Sequence, residues 1–437
     1  MKWIIAVLIF GLLIIFHEFG HFLLAKINGV DVEEFSVGFG PRIVSTVFHG
    51  TRYSLKILPF GGSCLMKGML GDEDEDGEPA EPEPGSFNSV SIGKRAAIIA
   101  AGPIFNFILA FIFAVVIMSV VGYDPAEVIS VESGSPAAEA GLETGDTITK
   151  FMGDTVEIGR DVSTWIALYT LKADDRITMT VRRGEQSVDL VFSPEITEQY
   201  RMGITYNTGS DQAEVSAVSE GSPLSDAGVK AGDVITSING TAITTSDSLS
   251  TYLSEHPLTG DTVTITFVRD GLTYEKEVTP VMSQSVSLGF DCNLGRVGTD
   301  APGVLKYSFI EVNYWIKTTV RSLGQLFTGR FSVNDLSGPV GIVDVVGTTY
   351  EQSKSEGALM TWMNMFNLII LLSANLGVMN LLPIPAIDGG RLLFLLIEAV
   401  RGKPMNRKVE NAIQLVSMAL LMLLMVYVMY HDIANFY

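Results

Sequence analysis

The stretch "IIFHEFGHFLLAK", residues 14–26, sets two histidines and a glutamate inside a run that otherwise reads as a membrane helix. Ionisable side chains are costly in hydrocarbon, and where they occur there they mark function by default. His17 and His21 stand one helical turn apart, on one face. Imidazole nitrogens at that spacing can both reach one Zn²⁺. Glu18, beside them, can take a proton from an attacking water and later return it to a leaving amine. The chain has five histidines in all. Two that bracket a glutamate in this way argue for metal binding over interhelical hydrogen bonding by buried polar groups.

The rest of the chain agrees with a membrane setting. Of its 437 residues, 47% are hydrophobic, and they gather in long runs. A bilayer is crossed by about 20 apolar residues. Four stretches reach that length: Trp3 to Lys26, Ala96 to Gly122, Leu359 to Leu382 and Ala412 to Tyr430. The first continues through HEFGH without a small-residue cleavage site, so it reads as a retained span and not a signal peptide. Formal net charge is −20, which argues against a nucleic-acid partner. Cys64 and Cys292 lie far apart and form no CxxC pair. They support neither a disulfide framework nor a thiolate zinc site.

Lys and Arg near the spans set the orientation. Lys26, Arg42, Arg52, Lys56, Lys67, Lys94 and Arg95 follow span one, and Arg391, Arg401, Lys403, Arg407 and Lys408 separate spans three and four. Both segments read as cytoplasmic, although Lys2 runs against the pattern. The segment from about 123 to 358 and the tail "HDIANFY" then lie outside.

A catalytic zinc takes three protein ligands and keeps one position open. The best distant third ligand is Asp388, in "NLLPIPAIDGG", residues 380–390. Pro383 and Pro385 break the helix there, and Gly389 and Gly390 let the chain turn behind the carboxylate. Depth agrees as well. His17 lies about 20 Å along span one at 1.5 Å per residue, in the cytoplasmic half, where span three delivers Asp388.

Between the spans the composition changes. Residues 71–85, "GDEDEDGEPAEPEPG", form an acidic linker that cannot bury apolar surface. Just before it, "TRYSLKILPFGGSC" alternates like a hairpin, either touching the membrane surface or solvated. The outer segment holds a repeat. "ESGSPAAEAGLETGDTI", from Glu132, matches "SEGSPLSDAGVKAGDVI", from Ser219. The repeat predicts two β-rich modules, at 126–205 and 212–285. Residues 286–358 then read as an amphipathic helical connector, lying on the membrane or packed on a module. Asn106 in span two either contacts the site region or ties helices together. Asn364, Asn367 and Asn375 line a hydrated cavity or bond between helices.

These residues resemble a family. "HEFGH", "AGPIFNF" (101–107), "NLGVMNLLPIPAIDGG" and the outer insert are similar to the site-2-type intramembrane zinc metalloproteases, and within them to the bacterial regulator-of-sigma-E protease group. The family's common LDG stands here as Ile387-Asp388-Gly389. The resemblance implies that His17, His21 and Asp388 bind Zn²⁺ and that Glu18 is the catalytic acid and base. It places Asn380 at the site, positioning substrate or stabilising the oxyanion. The hairpin would present an edge to an unwinding substrate helix. The two modules resemble PDZ domains of the bacterial protease type, which bind extended peptides or C-termini; a spacer or size filter is the alternative. Expected substrates are single-span membrane proteins such as anti-sigma factors, and remnant signal peptides.

The expected architecture is a polytopic α-helical membrane protein with about four spans, lipid around it, and two PDZ-like modules inserted between spans two and three. Its segments are 1–26, 27–93, 94–122, 126–205, 212–285, 286–358 and 359–437. The expected place is the bacterial cytoplasmic membrane, with the modules on the extracytoplasmic side. Two rivals remain: a membrane scaffold with a structural metal, and a transporter with a midplane metal site. The transporter calls for paired broken helices in two related halves, and one broken span is visible.

Overall fold

A computed structural model describes residues 2–69, 83–169, 171–219, 221–293, 295–330 and 337–436. The acidic linker expected at 71–85 lies outside these residues except for its last three. In chain order, α1 (Lys2–Ile27) leads into a hairpin of β1 (Val32–Phe48) and β2 (Thr51–Met66), and then α2 (Ile92–Val120). A β-rich stretch follows: β3 (Val128–Val131), α3 (Pro136–Glu139), β4 (Thr147–Phe151), β5 (Asp154–Thr155), α4 (Gly159–Leu168), β6 (Ile177–Arg183), β7 (Gln186–Phe192) and β8 (Glu195–Arg201). It continues with β9 (Ile204–Tyr206), β10 (Val215–Val218), α5 (Pro223–Asp226), β11 (Val234–Ile238), β12 (Thr241–Ala242), α6 (Ser246–Glu255), β13 (Val263–Arg269), β14 (Leu272–Val278), β15 (Val281–Ser287) and β16 (Phe290–Cys292). Helices then resume as α7 (Ala301–Phe327), α8 (Pro339–Ser353), α9 (Ala358–Leu381), α10 (Asp388–Arg401) and α11 (Arg407–Phe436). The chain divides into two units: Met1–Ala126 with Glu157–Leu168 and Leu294–Tyr437, and Glu127–Val156 with Tyr169–Asn293.

The first unit is a helical assembly. Among the described residues, four helices are long and apolar enough to cross a membrane: Trp3–Ile27, Ile92–Val120, Ala358–Leu381 and Lys408–Ala434. They coincide with the four expected spans to within a few residues at each end. Small residues let these helices approach, as packing in lipid requires. A Cβ on Gly20 of α1 would lie 2.4 Å from the Ala101 carbonyl oxygen of α2. One on Gly377 of α9 would lie 2.5 Å from the Phe107 ring of α2. So α2 is flanked by α1 and α9, and Ala110, Ala114 and Ile117 of α2 bury against Met363 and Ile370 of α9 and Val312 of α7. On α11, Leu415, Val416, Leu420 and Leu423 are exposed, an apolar surface that suits lipid. Asp432 on α11 accepts the Gly338 and Gly341 N–H groups at 3.2 and 2.8 Å and so caps α8.

The hairpin is larger than its sequence pattern indicated. Its first strand starts at Val32, and glycines at positive φ, Gly38, Gly40 and Gly61, interrupt the ladder. Those interruptions hide the alternation of β1. Phe39, Ile43, Val44, Phe48 and Ile57 are exposed.

The second unit holds two copies of one design. Each has a four-stranded antiparallel sheet, ordered β5-β4-β6-β7 in the first copy and β12-β11-β13-β14 in the second. The module limits expected at 126–205 and 212–285 need correction. β9 pairs with β10 and so joins the second copy, whereas β16, far downstream, pairs with β3 of the first. The second copy is therefore nested between β8 and β15, which pair with each other. The two returning strands are equivalent. Ser135 donates to the Gly289 carbonyl, and Ser222 donates to that of Gly203. The connector expected over 286–358 is corrected too. It begins as strand, and helix starts at Ala301. Strand pairing across the whole unit determines these residues, and local periodicity carries no sign of it.

Each copy also carries the same ion pair across its Gly-Asp turn. Arg183 bonds both Asp146 oxygens, at 2.8 and 2.7 Å, and Arg269 bonds both Asp233 oxygens at 2.7 Å. The Arg183 guanidinium holds the Asp146 carboxyl below its ordinary range. A depressed folded pKa gives stability that is present above the unfolded value, about 3.9. That stability is lost as pH falls through the folded value. Asp146→Ala, which also removes the acceptor for the Glu143 N–H, should lower the unfolding midpoint of this unit by several degrees at pH 7. The deficit should shrink below about pH 4. Thermal unfolding of the detergent-solubilised chain across pH tests this. An equal deficit at every pH would reject it.

Candidate metal centre

His17 and His21 project from α1 toward α2 and the start of α10, where Asp388 is the first residue. A carboxylate in the first turn is favoured by the helix dipole. The turn before it is tight. A Cβ on Gly389 would lie 2.0 Å from the Leu382 carbonyl oxygen, and one on Gly390 would lie 2.3 Å from that of Ile384. This packing of "LLPIPAIDGG" brings the end of α9 back under α10 and aims Asp388 at α1.

Three ligand atoms converge. His17 Nε2 lies 3.1 Å from Asp388 Oδ2, His21 Nε2 lies 3.3 Å from it, and the two Nε2 atoms are 3.3 Å apart. Ligands about 2.0–2.1 Å from a tetrahedral zinc stand about 3.3–3.4 Å from one another. The spacing therefore fits that ion. The electronic arrangement fits too. His21 Nδ1 donates to the Ile98 carbonyl of α2 at 2.9 Å, because a carbonyl can only accept. Its Nε2 therefore presents a lone pair to the centre. Asp388 Oδ2 is buried without a hydrogen-bond partner. Acceptors that crowd together and leave a buried oxygen unsatisfied call for a cation between them. These three are also the group of potential ligands that stands out among the described residues.

The surroundings define a cleft lined by Glu18, Glu34, Lys56, Cys64 and Arg391 along with the ligands. Residues Gly62 to Met66 of β2 form one wall. Gly62 passes so near the site that a Cβ there would lie 3.0 Å from Glu18 Cγ. Burial pushes the Cys64 thiol up to about 12, which keeps it protonated and unreactive. Arg42 and then Ser54 and Lys56 hold the Glu34 carboxyl down at about 2, so Glu34 stays charged. Behind the ligands, Gly102 of α2 supplies a smooth surface. A Cβ there would lie 2.3 Å from His21 Nε2 and 2.8 Å from His17 Cε1.

Among the expected residues, His17, Glu18, His21 and Asp388 meet at this cleft. Asn380 sits half-buried in the last turn of α9, outside the residues that line it. Asn106 is fully buried, with its amide 3.1 Å from His17 Nδ1, so it touches the site while joining α2 to α1. Asn375 accepts from Thr319 of α7, and Asn364 donates to Ser353 of α8. These two bond between helices. Sequence reading expected a hairpin edge there but missed Gly102, Glu34, Lys56, Arg391 and the course of β2 from Gly62 to Met66 along the cleft. The signal for Gly102 was present in "AGPIFNF", one turn before Asn106.

A structural zinc fills its coordination with protein ligands, whereas a catalytic one keeps a place open. Three potential ligands, a flanking carboxylate and an accessible cleft within apolar helices define the class as a membrane metallohydrolase. The model of Peptidase family M50 matches residues 5–424, and the chain belongs to that family. It is 33% identical over 454 residues to the zinc metalloprotease RasP of Bacillus licheniformis, with 100% of each chain covered. It is 32% identical over 447 residues to the regulator of sigma-W protease RasP of Bacillus subtilis, covering 99% of this chain and 98% of that one. It is 30% identical over 456 residues to the regulator of sigma E protease of Haemophilus influenzae, covering 97% and 96%. The protein is thus a multi-pass zinc metalloprotease.

Proposed function

We propose that this chain cuts transmembrane segments of single-span proteins, anti-sigma factors and remnant signal peptides among them, as a step of regulated intramembrane proteolysis. The observation that carries the reading is the place of the centre: His17, Glu18 and His21 lie within a helix apolar enough to span a membrane. In this proposal His17, His21 and Asp388 hold Zn²⁺. Bound there, the ion polarises a carbonyl and makes water nucleophilic at neutral pH.

The chain's own residues do the rest. Glu18 takes the proton of the attacking water and gives it to the leaving amine. The helical amide is shielded by its own hydrogen bonds, so the substrate must unwind first. The β1–β2 sheet is two-stranded, and the wall at Gly62 to Met66 offers an extended backbone for strand addition beside Glu18. Asn380, at the end of α9 where the helix breaks, would meet the substrate backbone as it enters. Exposed Phe39, Ile43, Val44 and Phe48 favour a hairpin dipping into the membrane.

The same proposal assigns the two β-rich copies as PDZ-like modules on the extracytoplasmic face of the bacterial cytoplasmic membrane, because Lys and Arg cluster in the other loops. In the second copy a groove between β9 and α6, lined by Gly203, Ile204, Tyr206, Leu253 and Leu258, favours peptide binding over a bare spacer.

The test is to map the cut. The purified chain, incubated with a model single-span protein in liposomes, should yield new termini inside the apolar segment by mass spectrometry. Termini confined to the soluble flanks would reject the reading.

A further inference from the structure

Asn106 invites a closer reading than a tie between helices. Its side chain is fully buried, and its amide stands 3.1 Å from His17 Nδ1. In the drawn orientation Nδ2 faces the ring and Oδ1 is buried without a partner. Nitrogen and oxygen of an amide have nearly the same shape, so their assignment follows from the hydrogen-bond network. A donating Nδ2 would need a lone pair on His17 Nδ1. The ring proton would then sit on Nε2, pointing at Asp388 Oδ2 and His21 Nε2, where the cation belongs. The exchanged amide removes the conflict. Oδ1 then accepts from His17 Nδ1–H, and Nε2 turns its lone pair to the metal. One amide atom points away unpartnered in either orientation, so the choice is decided at His17.

Several contacts hold Asn106 in this place. Its backbone carbonyl accepts from Ser373 of α9 at 2.7 Å. Gly102, one turn earlier on α2, packs directly against both rings. His21 has the matching arrangement, since its Nδ1–H goes to the Ile98 carbonyl on the same helix. One helix thus supplies an acceptor to each imidazole.

We infer that Asn106 is a positioning residue: its side-chain carbonyl accepts the Nδ1 proton of His17, which selects the tautomer and ring orientation that binds zinc. Partners of this kind are worth about 10- to 100-fold in metal affinity. The inference rests on the metal site proposed above, and the controls separate the two.

Zinc affinity is measured on the full chain in detergent by competition with a chromophoric chelator. Wild type, His17→Ala, Asn106→Leu and Asn106→Asp are compared. Asn106→Leu keeps the size but removes the acceptor, and affinity should fall about 10- to 100-fold. Asn106→Asp keeps an acceptor, and affinity should stay within about threefold of wild type or rise. Asn106→Leu binding like wild type, or Leu and Asp weakening it alike, overturns the inference. If His17→Ala binds as tightly as wild type, the site itself is wrong. Should Asn106→Leu fail to fold, ¹⁵N-histidine spectra of the zinc-loaded wild type decide. A proton on His17 Nδ1 supports the inference and a proton on Nε2 overturns it.

Discussion

Glu18→Gln should leave zinc bound and cleavage lost. Glutamine keeps the size of the side chain and its place beside Gly62, but at neutral pH it cannot take a proton. Glu18 is not among the three converging ligand atoms, so metal affinity should stay near that of wild type. Positioned acid–base groups contribute about 10²–10⁴ in rate, and in the proposed mechanism Glu18 serves twice in one turnover, so a loss of about 10³-fold or more is expected. Zinc content by atomic absorption and cleavage of a model single-span substrate check the two halves together. Cleavage persisting in the zinc-loaded variant would show that Glu18 is not the acid and base of the reaction.

Gly102→Val should be as damaging although it replaces none of the three converging residues. The space a Cβ would need is already filled by both imidazoles, 2.3 Å from His21 Nε2 and 2.5 Å from its Cε1. The obstruction comes from a backbone position on α2, itself packed closely on α1 at Gly20. Neither helix can retreat, so the rings must turn away and the converging atoms separate. Zinc should be lost to weak chelators and cleavage with it, while helical content by circular dichroism stays near that of wild type. Zinc retained at wild-type affinity would show that α2 does not back the site. Gly11 is a control on the same histidine helix α1, since a Cβ there meets nothing within 4 Å. Gly11→Ala should be silent.

How much of this was legible in advance differs from residue to residue. The four spans could be read because their signal is composition over about 20 consecutive residues. His17 and His21 could be read because a helix places residues four apart on one face from sequence spacing alone, and Glu18 because it stands next to them. Asp388 was reachable through a rarer signal, prolines and paired glycines around one carboxylate at the end of a span. The repeat also showed, since "GSP" and "GD" recur in order.

What stayed hidden depends on partners distant in the chain. β16 belongs beside β3 and β9 beside β10, yet nothing within either short strand says so, because strand pairing is settled by the surface a segment meets. β1 escaped notice because glycines at positive φ break its alternation. The Asn106 side chain could be given two readings from the sequence, and its contact with His17 joins them, since it bonds α2 to α1 at the site. By itself, then, the sequence determined the membrane setting, the candidate metal-binding residues and the kind of chemistry, all of which follow from composition and from patterns within single elements. Tertiary structure decided which strands complete each copy, which helix backs the imidazoles, and where the wall of β2 runs past Glu18. Those are contacts between elements, and close packing leaves each of them one geometry that no local pattern encodes.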